Sequence, residues 1–326
     1  MPVLIFGGKC SCLRVKAAHL VGHLPPRSPK LTLKGHTNDV KTIAFSADGK
    51  TIISGSIDKT VILWDVQTGQ VKQRFTKHQG MVWALAFSSD QATIASACYE
   101  IGDVWVWDAQ TGESRRQLSP RLSTMAFSKK GEVFIGARLK SLYTWDTQTW
   151  KRNRIDTEHT DAIYVIALSS DGKTLASGDR DGIIILWDTE SWRPIQKIKL
   201  QNWIKSLAFS PDGKKLVVGS AVMGASGSQI GGEINVWDIA AKKSVTLMKS
   251  PEIVWSVSVS PNGKLIVGAS RGGKIRIWDA QTEKLKEIFD GHDKIVFETI
   301  FSPDGASLAS CGGDGTVKFW DIGNLY

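Results

Sequence analysis

The first 38 residues contain no aspartate or glutamate, although they carry six lysines and arginines. Most of the formal net charge of +9 therefore sits at one end, leaving only +3 for the other 288 residues. A body so nearly balanced argues little for binding to phosphate backbones. Cysteine is scarce: Cys10, Cys12, Cys98 and Cys311 show no framework-like spacing. That excludes a disulfide scaffold and points to a reducing compartment, the cytoplasm. No apolar run approaches the roughly 20 residues of a membrane helix, so no membrane association is expected. Cys10, Cys12, His19 and His23 are spaced C-x-C-x6-H-x3-H, too short between Cys and His for a zinc finger, and no metal is expected.

What the chain does have is a period. Seven Trp-Asp pairs begin at Trp64, Trp107, Trp145, Trp187, Trp237, Trp278 and Trp320, separated by 43, 38, 42, 50, 41 and 42 residues. A fixed repeat of this size governs the fold and is read before any local motif. A second marker keeps the same beat: AFSADGK at 44–50, AFSPDGK at 208–214 and SVSPNGK at 258–264 are three of seven such turns. Asp-Gly and Asn-Gly between apolar runs supply the positive φ of a tight hairpin. Segments such as Thr60-Val61-Ile62-Leu63 are β-branched and read as short strands. One unit makes a small sheet that cannot bury its own faces, whereas a ring of seven can.

These residues resemble the WD-repeat β-propeller family over about residues 31–326. The family's hydrogen-bonded tetrad of His, Ser, Asp and Trp matches His36, Ser54, Asp58 and Trp64 in the first unit. It also matches His159, Ser177, Asp181 and Trp187 in the fourth, and His292, Ser310, Asp314 and Trp320 in the seventh. All three sets have gaps of 18, 4 and 6 residues. The second unit keeps His78, Ser96 and Trp107 but has Glu100 and one extra residue. The third, fifth and sixth lack the His and are expected to rely more on apolar packing. The resemblance implies an all-β, seven-bladed propeller of four-stranded antiparallel blades.

Only Ile322 to Tyr326 follow the last Trp-Asp pair, too few for a turn and an outer strand. Leu31-Thr32-Leu33 is therefore expected to complete the last blade and close the ring. Residues 1–30, with Pro25, Pro26 and Pro29, read as a basic, flexible tail before a propeller domain at 31–326. The fifth unit carries about nine extra residues within Val222 to Gly232, whose Gly, Ser and Ala content reads as a flexible loop or a lid.

Catalytic constellations are missing. Four of the six histidines fall at the tetrad position and two in the tail, so none is left to activate a nucleophile. Gly49-Lys50-Thr51 and Gly172-Lys173-Thr174 lack the earlier glycine of a phosphate loop. Neither an enzyme nor a cofactor is expected.

Binding chemistry is better represented. Aligning the first strand of each unit brings Lys41, Trp83, Ser123, Tyr164, Lys205, Trp255 and Phe297 to one position, with Trp203 two residues before Lys205. The residue before the tetrad Asp position includes Tyr99, Arg138, Arg180 and Arg271. The resemblance implies that both positions face one rim of the central channel, where family members contact partners. Aromatic residues and arginine dominate binding hot spots. The expected function is a non-catalytic scaffold that is a monomeric ring within a larger complex. Its partner is a protein or peptide with acidic or phosphorylated residues flanking an apolar anchor. Two alternatives stay open: nucleic-acid association through the basic tail, and a propeller enzyme.

Overall fold

The computed structural model describes residues 27–98, 102–224 and 226–326. Most of the basic tail, with Cys10, Cys12, His19 and His23, lies outside the described residues, as do Tyr99 and Glu100. The chain forms seven four-stranded antiparallel sheets, the blades, numbered here along the chain. Blade one comprises Val40–Phe45, Thr51–Ser56, Val61–Asp65 and Val71–Phe75, from the channel outwards.

Turn chemistry makes these strands. Gly49 takes φ +69° after Asp48, as the Asp-Gly signal requires. Ser46 Oγ donates to Asp48 at 2.6 Å and accepts from the Thr51 N–H at 3.0 Å, so the hairpin's polar atoms satisfy one another. Second strands are buried on both faces; every residue of Leu265–Ser270 is inaccessible. Apolar clusters span neighbouring blades, as where Leu33, Val317 and Phe319 meet Val40, Ile43 and Ile52.

The ring closes as expected. Leu31–Lys34 pairs antiparallel with Thr316–Asp321 and becomes the outer strand of blade seven. Contact begins earlier, since Arg27 lies 3.5 Å from Glu287 and donates to Asn324 at 2.7 Å.

In blade one the Trp64 indole donates to Ser54 Oγ at 2.7 Å, and His36 joins Ser54 to Asp58 at 2.8 Å on each side. With Asp58 accepting at Nδ1, Nε2 is left to accept from the serine, which sets the tautomer. Blade seven repeats this with Trp320, Ser310, His292 and Asp314. Burial pushes the Asp58 carboxyl up, but bonds from His36, Thr60 and the Thr37 N–H outweigh it and hold it well below the usual range.

Blade four corrects the spacing argument. His159 bonds Asp179 at 2.9 Å, not Asp181. Asp179 ends its strand at the place held by Ser56 in blade one and Gly312 in blade seven, where no carboxylate exists. Its carboxylate reaches the imidazole directly and also accepts from the Ile183 N–H at 2.7 Å. Asp181 instead accepts from Thr160 Oγ1 on the exposed side.

The fifth unit also differs from the flexible loop its composition suggests. The extra residues lengthen a hairpin, Lys215–Met223 with Gln229–Asp238, which stays paired as far as Met223 opposite Gln229. Its glycines serve close approach. A Cβ on Gly232 would lie 2.5 Å from the Val254 nitrogen and 2.6 Å from the Glu252 oxygen, where blade six begins.

Two outcomes are expected. Asp179→Asn should lower stability by about 2–4 kcal/mol through the broken buried network, and Asp181→Asn by no more than about 0.5 kcal/mol. Urea unfolding reads both, and the opposite order would contradict this assignment. Deleting residues 28–34 should lower the melting midpoint by more than about 5 °C, since it exposes an edge and the Phe319 cluster. An unchanged midpoint would show that closure does not need this strand.

Candidate partner-binding rim

The innermost strands share a local irregularity that builds the site. In six blades the pairing of first and second strands slips by one residue, skipping Lys41, Trp83, Tyr164, Lys205, Trp255 and Phe297. Each skipped residue is a β-bulge, which twists the strand and re-aims a side chain. Blade three lacks the bulge, and Ser123 there donates to the Ile163 carbonyl of blade four at 2.7 Å. All seven side chains line one mouth of the central channel.

The rings pack edge to face. Trp83 and Tyr164 have centroids 5.9 Å apart, Tyr164 and Trp203 5.1 Å, and Trp255 and Phe297 5.5 Å. Lys41 lies 3.4 Å from the Phe297 centroid and 3.4 Å from Asp39. Lys205 sits among three rings, 3.1 Å from Trp203 and 4.6 Å from both Tyr164 and Trp255. It is 5% exposed, and burial, with the nearby Arg180 charge, pushes its ammonium down to about 7. Arg180 also lies over Trp203, 4.9 Å from its centroid.

The three arginines do not converge. Arg180 alone among them touches the aromatic cluster. Arg138 lines a separate cleft with Tyr143, Arg154 and Asp161, and Arg271 stands exposed on its turn. Arg138 is the last residue of its second strand, and Arg271 follows the end of its own. Tyr99 lies outside the described residues.

One channel residue escapes the sequence argument. Glu298 accepts from the Ile43 N–H at 2.8 Å, across the seam between blades seven and one. Ser206 and Ser256 make the corresponding bonds, to Val257 at 3.0 Å and Thr299 at 3.1 Å. Burial pushes the Glu298 carboxyl up to about 7 against the pull of Ile43 and Thr42. Aligning the repeats would have exposed it, because other units have Thr42, Ala84, Thr124, Val165, Ser206 and Ser256 at this place. Among the described residues no cluster of His, Cys, Asp and Glu could hold a metal ion.

On the opposite side Trp150 and Trp192 adopt φ +57° and +56°, where Gly69 and Gly112 stand in other blades. They cover apolar clusters, and Trp150 packs 6.1 Å from Phe134. That contact gives a packing reason for a strained tryptophan backbone.

A family model described as the IFT122 first beta-propeller matches residues 121–324, and that of the WD domain, G-beta repeat, matches 27–65 and 69–108. Serine-threonine kinase receptor-associated protein of Gallus gallus is 26% identical over 309 residues, 92% of this chain and 85% of its own length. WD repeat-containing protein 26 homolog of Arabidopsis thaliana is 25% identical, covering 97% of this chain and 54% of its own. Pre-mRNA-processing factor 17 of Homo sapiens is 24% identical, covering 89% and 44%.

The buried Lys205 charge has a measurable effect. Its value falls from 10.5 in the open chain to about 7 when folded, so the unfolded protein binds the extra proton between these limits. Stability from this group therefore rises with pH across that window, and its cost is greatest below about 7. Lys205→Met should raise the melting midpoint at about pH 6 by roughly 2 °C or more, with the gain shrinking towards pH 10.5. A midpoint below wild type at pH 6 would contradict it.

Proposed function

The chain belongs to the WD-repeat β-propeller family, and on that premise we propose that it is a non-catalytic scaffold holding a protein partner at the aromatic mouth of its channel. The observation that carries this reading is the ring of bulges. Bulges cost regular pairing, yet here six of them gather aromatic and basic side chains at one place. Trp83, Tyr164, Trp203 and Trp255 remain partly accessible there, so they keep apolar surface for a partner. The name of the avian relative describes association with another protein, which agrees with this use of the fold. The partner is a peptide segment or protein with an apolar anchor and acidic or phosphorylated neighbours. The anchor meets the indoles, and Lys41, Lys205 and Arg180 meet the charge. The propeller serves as one ring within a larger complex. The cytoplasm, where thiols stay reduced, suits its buried free Cys98 and Cys311.

The test is affinity capture from native lysate with wild type and Trp83→Ala/Trp255→Ala, after circular dichroism shows both folded. Partners held by wild type should fall by about tenfold or more in the variant, because each anchor is worth about 2 kcal/mol. Equal recovery would move the contact surface away from the channel mouth.

A further inference from the structure

Lys205 is unusual in what surrounds it. A buried ammonium ordinarily has a carboxylate or carbonyl to accept its protons. Lys205 is 5% exposed, and among the described residues it has neither an ion-pair partner nor a hydrogen-bond acceptor. Its neighbours are the faces of Trp203, Tyr164 and Trp255, and the charge nearest to it, Arg180, has the same sign. A second observation is independent of the lysine. The indole N–H groups of Trp203 and Trp255 are buried and have no hydrogen-bond partner among the described residues. Lys205 and Trp255 line the channel cavity, Trp203 packs against the Lys205 ammonium, and Arg180 lies 4.9 Å from the Trp203 centroid. Three donors without an acceptor therefore belong to one cluster beside that cavity.

We propose that Lys205, the Trp203 and Trp255 indoles and Arg180 form a subsite for the side-chain carboxylate of an aspartate or glutamate carried by the partner segment. This deepens the rim reading and rests on it. A carboxylate is small, planar and singly charged, and it accepts several hydrogen bonds at once. It can approach the ammonium from the channel cavity that Lys205 and Trp255 line. A phosphate is larger and more highly charged, and more of its oxygens would be left against ring faces, which repel negative charge. The carboxylate would supply the missing acceptor, turning cation–ring contacts into a charge-assisted bond in a water-poor setting.

Several ionisable groups bear on this spot. The inner strand of blade four contributes Tyr164. The second strand of that blade contributes Asp179, already bonded to His159, and Arg180 follows it. The strand paired with that of Lys205 has its one ionisable residue, Lys215, at the far end, and the inner strand of blade six has none. Lys41 and Glu298 line the same channel further round. Lys205 loses its proton near pH 7, and Glu298 gains its charge over the same range. Both changes weaken the hold on an anion as pH rises.

The experiment uses the full chain and two peptides with both ends blocked, Phe-Glu-Phe and Phe-Gln-Phe, titrated while tryptophan fluorescence is read. At about pH 6 the glutamate peptide should bind about tenfold more tightly than its amide twin. That preference should fall by about tenfold towards pH 8, and Glu298→Gln should retain the Lys205 part of the slope. Lys205→Met should abolish the preference, and its melting midpoint reports whether it is folded. Arg180→Gln, altered at an exposed position, should reduce the preference in any case. Equal binding of the two peptides to wild type overturns the subsite. It leaves the rim reading to the capture experiment, which scores the apolar anchors. Preference surviving in folded Lys205→Met also overturns it. A phosphoserine peptide that binds more tightly than the glutamate peptide overturns the choice of carboxylate.

Discussion

The antiparallel pairing of Leu31–Lys34 with Thr316–Asp321 joins residues almost a full chain length apart. A blade has two apolar faces and no means of covering either alone, so each depends on a neighbour at both sides. An open ring would leave two such faces and two strand edges in water. Closure brings Leu33 and Phe319 over the cluster that contains Ile43 and Ile52. The same seam places Lys41 of blade one over Phe297 of blade seven, and Glu298 against the Ile43 N–H. The channel mouth is therefore a product of closure, and part of it lies on the join.

Polar groups are treated in two ways within this one architecture. In blades one, four and seven, Trp, Ser, His and Asp satisfy each other completely, and that closed chain of bonds ties second strand to third strand and turn. Blade five has Val218 at the serine position, and the Trp237 indole has no partner among the described residues. Blade six has Gly268 there, and the space is filled by Ile234 of blade five and by its own Trp278. Packing replaces the bonds in those blades, and it leaves their channel end to carry the unmet donors of Trp203, Lys205 and Trp255.

Much of the fold was legible because it follows from local chemistry repeated seven times. Asp-Gly turns and Trp-Asp strand ends recur at a spacing that admits few architectures, and a missing last strand has one place from which to come. The alignment of the seven residues from Lys41 to Phe297 was legible too, whereas the bulge that re-aims six of them was not. What failed depended on reach rather than spacing. Asp179 ends its strand and Asp181 stands two residues on in the turn, and it is the strand residue that meets His159. Arg138, Arg180 and Arg271 share a register, yet among them only Arg180 lies over a ring of the cluster. Glycines at 231 and 232 suggested a loop by composition, whereas they permit backbones to touch.

The position of the aromatic cluster follows from these differences. Trp203 and Lys205 rise from blade five, and Trp255 from blade six, both without the histidine network. Their support comes from elsewhere. The longest hairpin of the ring, Lys215–Met223 with Gln229–Asp238, backs the strand that carries Lys205. In blade six Glu252 accepts from Ser270 at 2.7 Å, and Arg276 donates to the same serine at 3.0 Å. That network uses an ion pair where blade seven uses an imidazole, and it anchors the turn just before Trp255. A buried charge without an acceptor persists only when its surroundings cannot relax to free it. The lengthened hairpin on one side and the Glu252 network on the other hold Lys205 in place between them.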